Sequence, residues 1–151
     1  MEKVLLKRLG DFVHRLLAGP NFAKDLQGNK ATIIALLGDL GAGKTTFVQA
    51  LAKELGIADT IQSPTYVLMK SYHIPHHPRF ARLIHIDAYR LEGAKEFAAL
   101  RPERFLEDPH NLVCIEWPER VGGALPVPDM TLQFSSENAG EKERYIDIRT
   151  S

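Results

Sequence analysis

The chain has 151 residues, of which 44% are hydrophobic and 25% are charged, and this length and composition favour one sizeable core over two. Its 19 basic and 19 acidic residues give a formal net charge of zero, which argues against strong binding of DNA or RNA by its own surface, because neutralised phosphates supply most of that affinity. No stretch approaches the roughly 18 apolar residues of a membrane span, and the N-terminus lacks the apolar core of a signal peptide. We therefore expect a cytoplasmic protein with no membrane contact.

The first predicted elements are a helix, a strand and a second helix. Apolar residues from Val4 to Leu17 recur at helical spacing, and Gly19-Pro20 stops that pattern. The continuous apolar run Ala31–Leu37 predicts a central strand that is buried on both faces, as in a parallel sheet covered by helices. A glycine-rich loop follows at once, and a helix is predicted from Lys44 to Leu55, where Gly56 closes it.

The middle of the chain predicts a hairpin, a helical stretch and another buried strand. Tyr66–Tyr72 and Arg82–Ile86 have the composition of two strands that pair as a hairpin. Residues 92–106 are broadly helical, with an interruption near Pro102, and Asn111–Ile115 is a second strand of buried character.

The tail predicts an antiparallel pair. Met130–Phe134 and Tyr145–Arg149 alternate between apolar and polar residues and are joined across residues 138–140, a pattern typical of half-exposed strands at the edge of a sheet. The predicted fold is one α/β domain over residues 1–151: three layers, α/β/α, with a mixed, mostly parallel central sheet and an antiparallel edge.

A phosphate-binding loop is the strongest motif of the chain. It matches G-x-x-x-x-G-K-[ST] at every fixed position, and its residues are Gly38, Asp39, Leu40, Gly41, Ala42, Gly43, Lys44 and Thr45. A buried strand before the motif and a helix after it are the context that the motif requires. Backbone N–H groups of such a loop hold phosphate oxygens, Lys44 reaches the β- and γ-phosphates, and the Thr45 hydroxyl binds Mg²⁺.

Magnesium needs further oxygen ligands. Asp87 and Glu116 each follow an apolar strand directly, so both are predicted at the carboxyl edge of the sheet, where α/β proteins bind ligands. Thr65 follows the loop at a distance typical of a threonine that senses the γ-phosphate through magnesium, although an ordinary turn explains it equally well.

Four blocks of sequence together resemble one protein family. They are Gly38–Phe47, Ser63–Tyr66, His85–Leu91 and Ile115–Glu119. In content, order and spacing they resemble the TsaE (YjeE) family of bacterial tRNA threonylcarbamoyladenosine biosynthesis ATPases. The resemblance implies a cytoplasmic ATPase that uses ATP and Mg²⁺ and works with TsaB-like and TsaD-like partners, which modify adenosine 37 of tRNA, so that tRNA is contacted only indirectly.

The resemblance also implies roles for individual residues. Glu116 becomes the second metal ligand, and Asp87 orients water or completes the metal shell. Thr65 becomes the switch threonine, and Thr46 and Trp117 join the nucleotide-binding set. One departure concerns the N-terminus, where Leu6 stands at the place of the family's usual threonine.

Two other functions compete with that of a partner-activated ATPase. A small-molecule kinase usually has an arginine-rich lid, for which Arg101 and Arg104 are the only basic pair available here. A GTPase switch needs Asn-Lys-x-Asp after the phosphate loop, whereas Asn29-Lys30 precedes it, which favours adenine. The expected chemistry is in-line attack of water on the γ-phosphate, slow without partners because the sequence shows no obvious arginine finger.

Overall fold

A computed structural model describes residues 2–20, 22, 28–39, 41–61, 68–137 and 139–150. The strands are β1 (Glu2–Leu5), β2 (Thr32–Leu37), β3 (Met69–His73), β4 (Arg82–Asp87), β5 (Asn111–Glu116), β6 (Met130–Ser135) and β7 (Glu143–Thr150). The helices are α1 (Leu9–Leu17), α2 (Lys44–Glu54), α3 (Ala94–Ala99) and α4 (Glu103–Leu106). Single 3₁₀ turns cover Leu6–Arg8, Pro118–Arg120 and Gly122–Ala124.

All seven strands form one mixed sheet in the order β1-β7-β6-β2-β5-β4-β3. Its four central strands, β6, β2, β5 and β4, are parallel to one another. Antiparallel pairings lie at both ends: β3 on β4 at one end, and β6 with β7 and β7 with β1 at the other. The predicted mixed sheet with parallel central strands is confirmed, but antiparallel pairings lie at both ends, and β1 adds one that the sequence did not predict.

The sheet is covered on both faces, which gives three layers. Alternate residues of β2 belong to different cores: Ile34 and Leu36 pack with α1 and α2, whereas Ile33 and Ala35 pack with α3 and α4. A strand with neighbours on both edges and helices on both faces has no polar side, which explains the continuous apolar run of its sequence. None of the helices in the described residues has the length and apolar character that crossing a membrane requires.

The N-terminus corrects the first predicted helix. Residues 2–5 are a strand, and the helix starts only at Leu9. Val4 is buried in the same core as α1 and is paired with Arg144 of β7, so tertiary pairing overrides the helical spacing of the apolar residues. β7 is therefore an inner strand and not the edge that its alternating pattern predicted.

The other predicted elements are confirmed within a few residues, and the helical stretch 92–106 divides into α3 and α4 before and after Arg101-Pro102. The predicted start of the first hairpin strand at Tyr66 lies outside the described residues. In the turn of that hairpin, His77 Nδ1 accepts hydrogen bonds from the backbone N–H groups of Arg79 and Phe80, at 3.0 and 3.1 Å. Burial lowers the pKa of His77, and the positive charge of Arg79 lowers it further.

Candidate functional site

The glycine-rich loop, residues 38–45, connects the end of β2 to the start of α2. Gly38, Gly41 and Gly43 have φ angles of +145°, +78° and +105°, a region that side chains with a Cβ rarely adopt. A Cβ at Gly38 would also lie 2.8 Å from the carbonyl oxygen of Phe134 on β6. Glycine at this position is therefore required both by the backbone angle and by the close approach of β6. Leu40, which the motif includes, lies outside the described residues.

Lys44 begins α2 and is only 4% exposed. Its ammonium donates a hydrogen bond to the carbonyl oxygen of Gly38 and lies 3.7 Å from the centre of the Trp117 ring, a cation–π distance. Burial lowers the pKa of Lys44, and nearby carboxylates, of which Glu116 contributes most, oppose that shift. A positive charge is thus held inside the protein by one carbonyl and one aromatic ring, an arrangement suited to an incoming anion.

Thr45 and Glu116 meet across the site. The Thr45 hydroxyl lies 3.3 and 3.4 Å from the two carboxylate oxygens of Glu116, and Glu116 is 4% exposed. Glu116 ends β5 and is paired in parallel register with Asp87 at the end of β4. The two acids predicted at the carboxyl edge of the sheet therefore lie on adjacent strands, beside the first turn of α2.

His85 is a site residue to which the sequence assigned no role. Its fully buried ring lies with Nε2 2.6 Å from a carboxylate oxygen of Glu116, where an N–H donates to the acid. His85 and Asp87 are two positions apart on one strand and so share a face. That His-x-Asp spacing was the signal available in the sequence.

An aromatic pair borders the same cleft. Trp117 follows β5 with a left-handed φ of +59°, and its ring centre is 5.1 Å from that of Tyr89. The Arg120 guanidinium lies over the Tyr89 ring, 5.2 Å from its centre. Asp87 Oδ1 accepts the backbone N–H of Tyr89 at 3.0 Å. The turn after each of the two strands is therefore part of the site.

Several of these residues line a cleft of about 310 Å³. Its lining residues are Leu6, Gly41, Gly43, Lys44, Thr45, Thr46, Asp87, Tyr89, Arg90, Glu116, Trp117 and Arg144. Gly38, Asp39 and Ala42 line a second cleft, of about 440 Å³, which Trp117 also borders. The proposed switch residue Thr65 lies outside the described part of the chain. Among the described residues, neither Arg101 nor Arg104 lines these two clefts.

Leu6 and Arg144 reach the cleft from the antiparallel end of the sheet, and both lie outside the phosphate-loop motif. Leu6 occupies the position where the family resemblance implied a threonine, so the N-terminal segment does border this site. Arg144 was not predicted at all, since a basic residue in an alternating strand carries no recognisable signal.

The donor set fits a nucleoside triphosphate with a divalent cation. A hydroxyl and carboxylates are the hard oxygen ligands that Mg²⁺ prefers, and Thr45, Glu116 and Asp87 are groups of this kind. A buried ammonium, a helix start and glycines with left-handed backbone angles suit phosphate oxygens.

Comparisons with known proteins agree on one family. The sequence model of the family described as Threonylcarbamoyl adenosine biosynthesis protein TsaE matches residues 14–146. The tRNA threonylcarbamoyladenosine biosynthesis protein TsaE of Haemophilus influenzae is 34% identical over 135 residues, which covers 86% of this chain and 81% of that protein. The protein of the same name from Treponema pallidum is 34% identical over 114 residues, with 76% and 80% covered.

A further relative matches over a shorter region. The TsaE protein of Synechocystis is 43% identical over 93 residues, and this match spans 60% of the present chain and only 56% of the relative. Among solved structures, YdiB from Bacillus subtilis superimposes with a TM-score of 0.64 at 24% identity, covering 99% of this chain and 83% of that one. The structural likeness shows a shared fold.

Proposed function

The chain belongs to the TsaE family, and from this premise we propose that it binds ATP with Mg²⁺ in the cleft beside the glycine-rich loop and hydrolyses the ATP. The domain would then be a P-loop ATPase that acts in the biosynthesis of threonylcarbamoyladenosine in tRNA. This is the process in the names of its relatives.

The meeting of Thr45 with Glu116 is the observation that carries the proposal. A hydroxyl from the start of α2 lies within 3.4 Å of both oxygens of a buried acid from the end of β5, in the same cleft as the Lys44 ammonium. Three groups from two distant parts of the chain converge there. The motif specifies the lysine and the hydroxyl, and the fold brings the acid at the end of β5 beside them.

Lys44 neutralises phosphate charge in this proposal. Its ammonium is paired with the carbonyl of Gly38 in the structure described here, and phosphate oxygens would replace that neutral acceptor. A charge-assisted hydrogen bond is stronger than one to a carbonyl. The exchange therefore favours binding, and it favours still more a transition state in which the γ-phosphoryl oxygens carry the developing charge.

Thr45, Glu116 and Asp87 form the oxygen side of the cleft. Thr45 and Glu116 would hold Mg²⁺, and Asp87 would complete its shell or orient the attacking water. When bound, the metal ion neutralises charge on the phosphates. His85 fixes one carboxylate oxygen of Glu116 from inside the sheet, which leaves the Thr45 side of that carboxylate for the ligand.

Trp117 and Tyr89 shield the cleft. The Trp117 ring packs directly over the Lys44 ammonium, so it would exclude water from the side of the phosphates. A site of this kind lowers the dielectric around the lysine, and the lowered pKa of Lys44 has the same cause.

The proposed biological role is to drive turnover of a complex of TsaB-like and TsaD-like proteins. Family membership supports it, and so does the formal net charge of zero, which favours an indirect relation to tRNA over a direct one.

The test is ATP hydrolysis by the purified chain, alone and with the TsaB–TsaD complex, at saturating Mg²⁺. We expect slow hydrolysis alone and stimulation by the complex. ATP binding with neither stimulation nor complex formation would overturn the partner role while retaining the nucleotide site. Transfer of phosphate to a small-molecule acceptor in place of water would favour a kinase.

A further inference from the structure

Arg144 of β7 reaches into the cleft from the side that the phosphate-loop motif does not describe. Its Nη2 donates to the carbonyl oxygen of Gly41 in the glycine-rich loop, at 3.2 Å. Its Cγ lies 3.7 Å from the point where a Cβ on Gly43 would stand. The side chain therefore binds the loop at Gly41 and passes close to Gly43, and it lines the same cavity as Lys44 and Thr45.

The positive charge of Arg144 has no carboxylate partner among the described residues. Its other bonds run from Nη1 to the carbonyl oxygens of Glu143 and Glu141, at 2.6 and 3.1 Å. Its Nε is buried and has no hydrogen-bond partner in the described part of the chain. All its acceptors among the described residues are neutral backbone oxygens, and the Nε–H of its planar guanidinium group makes no hydrogen bond with them.

Three other arginines of the chain are paired with acids. Arg8, Arg15 and Arg149 each lie within 3.3 Å of a carboxylate oxygen. Arg149 stands on the same strand as Arg144, where its guanidinium is paired with Asp147 and its side chain is 68% exposed. A half-buried arginine without an acidic partner, beside a loop built for phosphate, is electrostatically complementary to an anion.

We propose that Arg144 binds the phosphate chain of the nucleotide, supplying from β7 a positive charge besides that of Lys44. This inference rests on the proposed function and adds a binding residue to it. On nucleotide binding, the guanidinium exchanges the neutral Gly41 carbonyl for a phosphate oxygen. The antiparallel pairing of β7 with β1 and β6 holds the Arg144 backbone in place, so the strand presents this charge from a fixed position.

A purely structural role would be to tie the loop to β7. In that case the bond to Gly41 matters and the charge does not. A phosphate contact differs in two ways. The loss of nucleotide affinity depends on the charge of the substituted residue, and it depends on ionic strength, because salt screens the attraction between a cation and a phosphate.

The experiment compares wild type with R144Q, R144K and the matched control R149Q. ATP and ADP affinities are measured by equilibrium titration, with Mg²⁺ and with a chelator, at low and at high salt. We expect R144Q to bind both nucleotides about 10-fold more weakly, the effect of losing one charge-assisted hydrogen bond. The loss should persist without Mg²⁺, since the hydrogen bonds of Arg144 run to Gly41 of the loop and to residues 141 and 143. R149Q should stay within about twofold of wild type, because an exposed ion pair contributes little.

R144K and the salt dependence separate charge from geometry. R144K should recover part of the affinity and keep the wild-type salt dependence, whereas R144Q should show a weaker salt dependence. Equal losses in R144K and R144Q with unchanged salt dependence would overturn the inference and leave Arg144 as a support of the loop. Wild-type affinity in R144Q would overturn it as well.

Folding and the proposed function are controlled separately. Urea unfolding of each nucleotide-free variant shows whether it is folded, and R144A replaces R144Q if the latter is not. A wild-type chain that binds no ATP under any of these conditions would overturn the proposed function, and this inference with it. A wild-type chain that binds ATP, with R144Q or R144A binding equally well, would overturn this inference alone.

Discussion

The two sides of the cleft come from different parts of the sheet. The motif side, defined as residues 38–45 with Asp87 and Glu116, stands at the ends of the parallel strands β2, β4 and β5. The hairpin side, defined as Leu6 and Arg144, stands on the antiparallel end formed by β1, β6 and β7. The motif side carries short-range signals in the sequence, whereas Arg144 on the hairpin side carries none and Leu6 is marked only by the family resemblance. A phosphate loop therefore locates a site without describing all of its surface.

Lys44→Ala should have the largest effect, because it removes the central charge of the motif side. We expect ATP binding to weaken by at least about 100-fold, the result of losing two charge-assisted hydrogen bonds to phosphates. The fold should survive, since burial disfavours the charged form of Lys44 and lowers its pKa. Nucleotide titration and urea unfolding measure the two quantities, and near-normal ATP hydrolysis in this variant would remove the central claim.

Glu116→Ala should act on the metal and less on the nucleotide. We expect the Mg²⁺ concentration for half-maximal hydrolysis to rise about 10-fold, in keeping with the loss of one charged ligand. Glu119→Gln is the control, because Glu119 is an exposed acid just beyond the same strand and also favours the charged form of Lys44. A magnesium titration that Glu116→Ala leaves unchanged would transfer the metal role to Asp87.

Gly38→Ala tests the close contact between the motif side and β6. The new Cβ would lie 2.8 Å from the Phe134 carbonyl oxygen on β6, so the loop or the strand must move. Gly93→Ala is the matched control: its φ of +132° resembles the +145° of Gly38, and a Cβ there meets nothing within 4 Å. We expect Gly38→Ala to be the less stable variant by about 1–3 kcal/mol in urea unfolding, the usual cost of overpacking. Equal unfolding free energies of the two variants would mean that β6 moves away from the new methyl group without loss of stability.

The smallest effect should be the loss of stability in acid that His77 causes, and it should not change ATP binding in the cleft. The pKa of His77 is lowered by burial, so the unfolded chain takes up this proton first as the pH falls through about 6.5. Stability from this group is complete above that pH and is lost between it and the lowered pKa, because protonated Nδ1 can no longer accept the bonds from Arg79 and Phe80.

The measurement is the unfolding free energy of wild type and His77→Asn at about pH 7.5 and pH 5.5, on either side of the ordinary histidine pKa. The unfolding free energy should fall less between the two pH values in His77→Asn than in wild type. The two falls should differ by less than about 1.5 kcal/mol, the net contribution of one hydrogen bond. ATP affinity of the two proteins should be the same at pH 7.5. If both proteins lose the same stability on acidification, that loss comes from groups other than His77.

Local patterns predicted the parallel centre well. The buried run of β2, the helix after Lys44 and the strands that end in Asp87 and Glu116 were all visible, because period and composition are short-range properties. β1 was missed since Val4 and Leu5 fit the helical spacing of α1. A four-residue strand is decided by its partner β7, to which local propensity contributes little.

The sequence by itself determined the phosphate-loop motif, the family and the two acids at strand ends. Each of these depends on residue types at fixed spacing along the chain, which can be read without the tertiary structure. Only the tertiary structure decided that His85 would hold Glu116, that β6 would press on Gly38, and that Arg144 would reach the loop across the sheet. Those contacts join residues far apart in the chain, and the register of the strands, which is set by packing over the whole sheet, brings them together.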